Sequence, residues 1–142
     1  MTNAVLLDTC AVIWLANGAP MSAAAMEAIV DAGAGDGILV SPASAWEIGM
    51  LSKDRPNKGP ALRFLPDPKT WFARFLAGPG IKETPITPAI AIDASYVPNY
   101  PYGDPGDRLI IATARHLLVP IVTRDQRIAA YAETGDLRVI LC

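Results

Sequence analysis

AVLLDTCAVIWLANG, Ala4 to Gly18, decides the fold. Its first five residues are a short apolar run closed by an acid, the pattern of a buried strand. Thr9 to Asn17 then reads as a helix stopped by Gly18. A strand that hands an acid straight to a helix sets that acid at the strand's carboxyl end. Taken singly, Asp8 needs no role beyond capping the helix that follows.

The same alternation continues outward along the chain. Met21 to Ala32 is an alanine-rich helix ended by GAGDG, and GILVS (Gly37–Ser41) is a second strand. PASAWEIGMLSKD (Pro42–Asp54) is a helix with proline at its start. A proline-rich loop, Arg55 to Pro66, leads to an amphipathic helix over Pro66–Gly78. IKETPI is a short strand and TPAIAIDASYV a helix. After a Pro/Gly/Tyr loop from Pro98 to Gly106 comes another helix, then the strand PIVT (Pro120–Thr123), a helix over Gln126–Ala132 and a last strand LRVIL (Leu137–Leu141). Apolar strands alternating with helices predict an α/β fold: a central parallel sheet of four or five strands, flanked by helices on both faces. No repeat or interdomain linker interrupts it, so residues 1–142 read as a single domain.

Composition narrows the function classes. Apolar residues make up 51% of the chain, which excludes global disorder and hints at a buried partner surface. Cys10 and Cys142 form neither a metal spacing nor a disulfide framework, which points to a reducing, cytoplasmic setting. The start MTNAVLLD lacks the pattern of a signal peptide, and no apolar run is long enough to span a membrane.

The acids fall in a pattern. Asp125 follows the strand IVT by one residue, so Asp8 and Asp125 are expected at one edge of the sheet, where α/β folds place their sites. In GDPGDRLIIATARH, Asp104 fits an N-cap, Pro105 the first helical position and Asp107 the first turn. Asp107 also heads the stripe Ile110, Ile111, Ala114, Leu118, which directs it to the edge of a core. Glu47 has Ala43, Met50 and Leu51 at i−4, i+3 and i+4, an inward face, with Ser41 and Ser44 as candidates to hydrogen-bond its carboxylate. Carboxylates that converge without basic partners repel unless a cation holds them. With no Cys or His cluster beside them, all-oxygen ligation selects a hard ion, Mg²⁺ or Mn²⁺, and metal-assisted phosphodiester hydrolysis.

Net charge is −2, with 12 basic and 14 acidic residues. Setting aside Asp8, Glu47, Asp107 and Asp125 turns the remainder to +2, an acidic hole in a mildly basic surface that suits a nucleic-acid substrate. Arg108 and Arg115, Arg124 and Arg127, and Lys53, Arg55 and Lys58 are the cations placed to meet phosphate. A solvated charged face is the plainer alternative for each.

Four stretches in order, LLDTCAVIWLANG, SPASAWEIGMLSK, GDPGDRLIIATARH and IVTRD, resemble a PIN domain, most closely the VapC-type ribonuclease toxins of toxin–antitoxin modules. The likeness spans nearly the whole chain. It implies a single PIN-like domain and a Mg²⁺- or Mn²⁺-dependent endoribonuclease, with a cognate antitoxin and commonly a homodimer. On this resemblance Asp8, Glu47, Asp107 and Asp125 match the family's four acids. Thr9 matches the hydroxyl after the first acid, and Thr123 stands beside the fourth. Asp104 matches the first aspartate of a DPxDR variant that adds a further acid. That variant often carries a histidine before the motif and a bulky apolar residue after the proline; here Tyr102 or Gly103, and Gly106, stand there.

Other residues read as structural. His116 is the only histidine, too few for acid–base RNA cleavage through a cyclic phosphate. Trp14, Trp46 and Trp71 fall on apolar helix patterns, and Cys10 reads as a small buried residue. Trp71, Phe72, Phe75 and Leu76 form a face for either a partner or the sheet. Two rivals remain: an Asp8-nucleophile phosphohydrolase, which finds Cys10 where a second aspartate is wanted, and a catalytically inactive RNA- or protein-binding module.

Overall fold

The computed structural model describes residues 2–54, 56, 59–98, 100–133 and 136–142. Its strands are β1 (Val5–Leu7), β2 (Ile38–Val40), β3 (Ile81–Glu83), β4 (Ile121–Thr123) and β5 (Val139–Leu141). All pair in parallel in the order β3-β2-β1-β4-β5. The chain winds outward from β1 to β3 and then returns past β1 to β4, so the winding reverses between β1 and β4. A crevice opens there at the carboxyl ends of the strands.

Among the described residues seven helices connect the strands: α1 (Thr9–Ala16), α2 (Ala23–Ala34), α3 (Pro42–Leu51), α4 (Pro68–Leu76), α5 (Pro88–Ser95), α6 (Pro105–Leu117) and α7 (Gln126–Ala132). Each of these begins behind a side-chain cap, in order Asp8, Ser22, Ser41, Asp67, Thr87, Asp104 and Asp125. Such a cap contributes about 1 kcal/mol by satisfying an otherwise orphaned backbone N–H. The fold therefore starts helices with the same residue types that its site requires.

The pleat of β1 divides the core. Val5 and Leu7 pack with Val12, Ile29, Phe72 and Phe75 on one face of the sheet. Leu6 packs with Ile110, Ile111, Ile128 and Tyr131 on the other. Ile110 and Ile111 are fully buried, and losing either burial would cost about 1.5–3 kcal/mol. That burial fixes the rotation of α6 about its axis, and with it the direction of Asp107 one turn earlier.

The apolar stripe on α6 ends sooner than its spacing predicts. Leu118 is 73% exposed, because the helix closes there on a left-handed residue with φ 57°. On α4 the sheet takes Phe72 and Phe75, while Trp71 lies against Phe64 and Phe75, so most of that face is ordinary packing. Trp46 is half exposed, and Met50 is exposed beside it on α3. Arg55 and Lys58 lie outside the described residues. Among the described residues no helix is long and apolar enough to cross a membrane.

Candidate metal centre

Asp8 leaves β1 and enters α1. Its Oδ1 accepts from the Ala11 backbone N–H at 2.8 Å, and its Oδ2 accepts a short hydrogen bond from the Thr123 hydroxyl. The Thr123 Oγ1 also accepts from the backbone N–H of Asp125 at 2.9 Å. One buried hydroxyl at the end of β4 thus ties together acids from the first and last parts of the chain. Burial pushes the Asp8 carboxyl up to about 6, against the pull of the Thr123 and Ala11 hydrogen bonds.

Glu47 projects from α3 towards the start of α6. The Thr9 hydroxyl donates to its Oε1 at 2.6 Å and lies 3.1 Å from Ser44 Oγ. Ser41, by contrast, caps its own helix by accepting from Ala43 N–H. Glu47 is therefore oriented by the residue after Asp8 rather than directly by the serines of its own segment. Burial raises its carboxyl above the usual range, with Asp104 and Asp8 adding repulsion.

The α6 N-terminus supplies two acids. Asp104 Oδ1 accepts from Asp107 N–H at 3.1 Å as the cap. Asp107 faces inward, and its pKa is pushed up to about 7 by burial and then by Asp104, Glu47 and Asp125. A helix N-terminus alone would lower it; desolvation and three neighbouring carboxylates outweigh the dipole. Asp125 behaves oppositely. Burial pushes it up, but hydrogen bonds from the Arg127 side chain and from the Arg127 and Ile128 backbone leave it below the usual carboxylate range.

All five acids line one cavity of about 340 Å³ with Thr9, Cys10, Arg124 and Arg127. Carboxylate oxygens of Glu47, Asp104 and Asp107 lie within 4.8 Å of one another, close enough for a single ion to touch all three. Glu47 and Asp107 are both raised by burial and by neighbouring carboxylates, which is the electrostatic debt a divalent cation removes. The donor set is oxygen only, which suits a hard divalent cation.

Gly106 makes this possible and was not singled out as a site residue in the sequence. A Cβ there would stand 2.6 Å from Glu47 Cδ and 2.7 Å from Oε1. Its signal was a glycine inside the first turn of an otherwise good helix, where glycine is a poor choice unless something must come close. Gly106→Ala should leave α6 folded, since alanine favours a helix by about 1 kcal/mol over glycine. It should also displace Glu47 and weaken Mn²⁺ binding by about tenfold or more. Circular dichroism and titration calorimetry on the same sample separate the two effects.

The arginines divide. Arg108 donates to the carbonyls of Tyr102, Ala94 and Tyr100 and so clamps the loop before α6. Arg115 bonds the Tyr131 hydroxyl. Arg124 holds the carbonyls of Cys142 and Pro20 and stacks 3.7 Å from the Trp14 ring centroid. Arg127 alone among the described residues forms ion pairs with the cluster, to Asp107 and Asp125. Cys10 is exposed at the cavity, where the first turn of α1 presents it beside Asp8, rather than being a buried residue; partial desolvation of its sulfur and the surrounding acids push the thiol up to about 11. His116 is exposed and lines a different cleft, between α5 and α6.

A parallel five-stranded sheet with acids gathered where its winding reverses has a family counterpart. The PIN domain family model matches residues 5–134, and the chain belongs to that family. It is homologous to VapC-type toxins: Ribonuclease VapC22 of Mycobacterium tuberculosis (strain ATCC 25618 / H37Rv) is 29% identical over 139 residues, covering 98% of this chain and 99% of that protein. The fold is shared with VapBC2 from Rickettsia felis bound to a promoter DNA fragment, at a TM-score of 0.67 and 12% identity over 97% of this chain and 98% of that one. It is shared too with DNA-bound VapBC from Salmonella typhimurium, at 0.65 and 14% over 99% and 98%.

Proposed function

We propose that this chain is a Mg²⁺- or Mn²⁺-dependent endoribonuclease, the toxin of a toxin–antitoxin pair, acting in the cytoplasm as one domain over residues 1–142. The observation that carries it is the convergence of five carboxylates in one cavity, three of them within reach of one ion. A binding module would gain nothing from such repulsion. The VapC22 relative is named a ribonuclease, and the similar Rickettsia felis and Salmonella typhimurium structures are VapBC complexes on DNA; from these we take RNA as substrate and a cognate antitoxin as partner, and the resemblance to VapC-type toxins adds a homodimer as the assembly.

Glu47, Asp104 and Asp107 would hold the ion, with Asp8 and Asp125 completing the acidic wall. A bound ion supplies an acidified water for attack on phosphorus and stabilises charge on the leaving oxygen. Thr9 and Thr123 fix the carboxylates they touch, and Ser44 backs Thr9. Water adds across the P–O bond, leaving a 5′-phosphate on one product and a 3′-hydroxyl on the other. Asp8 is poorly placed as a covalent nucleophile, because each of its oxygens already accepts a hydrogen bond.

The test is incubation of the purified chain with end-labelled RNA in Mg²⁺, Mn²⁺ or EDTA, with the product ends mapped. Cleavage stops with EDTA and returns with either ion, giving 5′-phosphate ends. Chelator-resistant cleavage ends the metal assignment, and a folded protein that cuts no RNA restores the binding-module reading.

A further inference from the structure

Arg127 occupies an unusual place for a cation. Its Nη2 lies 3.4 Å from Asp107 Oδ2 and 3.3 Å from Asp125 Oδ2, bridging acids from the starts of two different helices. Its side chain is 46% exposed, whereas those of Asp107 and Asp125 are 13% and 25% exposed. Pairings this long and this open to solvent are weak and exchange readily. The guanidinium also lies 4.9 Å from the ring centroid of Tyr102, an exposed residue on the loop that Arg108 clamps. Arg108 and Arg124, the other guanidiniums nearby, spend their donors on backbone carbonyls. Among the described arginines, Arg127 alone directs its charge at carboxylates.

We propose that Arg127 is a tethered counter-ion of the acidic cluster: its guanidinium and a divalent cation compete for the Asp107 carboxylate, and on metal loading it withdraws along the Tyr102 ring to meet an RNA phosphate. The physical basis is that two cations a few ångströms apart repel, while either alone relieves the acids. The exposed end of Arg127 can leave without burying a charge, and the aromatic face of Tyr102 gives it a resting place at the cavity mouth. This rests on the nuclease reading for its final step, but the competition itself does not.

Mn²⁺ titration calorimetry on the full chain tests it, with Arg127→Ala and Arg127→Lys beside the wild type. The alanine variant should bind Mn²⁺ about tenfold tighter, a coupling of ordinary size for linked sites. It should also melt at a lower temperature in EDTA and close to wild type in saturating Mn²⁺. Lysine keeps the charge and should return the affinity most of the way to wild type. With saturating Mn²⁺, the alanine variant should show a raised KM for RNA and a kcat near wild type. Equal or weaker Mn²⁺ binding by the alanine variant, with an unchanged melting temperature in EDTA, overturns the competition. An unchanged KM overturns the phosphate contact. A wild type that binds no Mn²⁺ removes the nuclease reading together with this one, whereas RNA cleavage by a wild type whose Mn²⁺ affinity ignores Arg127 removes this one alone.

Discussion

Glu47→Gln should abolish metal-dependent RNA cleavage while the protein stays folded. The amide retains an oxygen to accept from Thr9, so the side chain keeps its place. It loses the charge that an ion needs. Removing an outer partner of a metal ligand already costs ten- to a hundredfold, so losing a ligand should cost about a hundredfold or more in cleavage rate. The variant should melt no lower than wild type in EDTA, because one of the mutually repelling carboxylates is gone. Loss of activity at its usual stability separates a functional acid from a structural one. Full activity in the variant would remove Glu47 from the site.

The second large effect is on stability against pH. Asp8 titrates at about 6 and Asp107 at about 7 in the folded chain, both above their ordinary carboxylate values. A raised folded pKa means that the protonated form is favoured by folding. The stabilisation is complete below about pH 4, the unfolded value, and is lost as pH rises through 6 and 7. Asp125 is shifted the other way and stays charged throughout that window. In EDTA the melting temperature should therefore fall by several degrees between pH 5 and pH 8. Mg²⁺ should flatten or reverse the slope, since it binds the deprotonated acids. Scanning calorimetry at four pH values with and without Mg²⁺ measures it. A metal-free melting temperature that rises across this range would mean that the acids are not mutually destabilising.

Much of this was legible because the strongest signals are local. The run AVLLD followed by a helix, and IVT followed by a helix, each needs only a few adjacent residues to read, and the parallel sheet with its site edge follows. Capping and clustering proved compatible: Asp8, Asp104 and Asp125 are all N-caps, and all line the same cavity. What stayed hidden depends on partners distant in sequence. Glu47 is held by Thr9 rather than by Ser41 or Ser44 because packing α1 against α3 decides the neighbour, and spacing along one helix cannot. Gly106 departs from the family variant, and its reason appears only when Glu47 is beside it. Arg127 looks like any surface arginine until α6 and α7 meet.

The hydroxyl of Thr123 on Asp8 joins residues 115 positions apart, and β1 finds β4 only after Glu47, Asp104 and Asp107 have been made. Synthesis proceeds at about 5–20 residues per second, so some seconds separate the emergence of Glu47 from that of Asp125. Throughout that interval the growing chain carries most of its acids and no assembled cavity. A chain that stops short of β4 holds Asp8, Glu47, Asp104 and Asp107 but lacks the strand and the hydroxyl that draw Asp8 into the cavity, so the acids alone do not make the site.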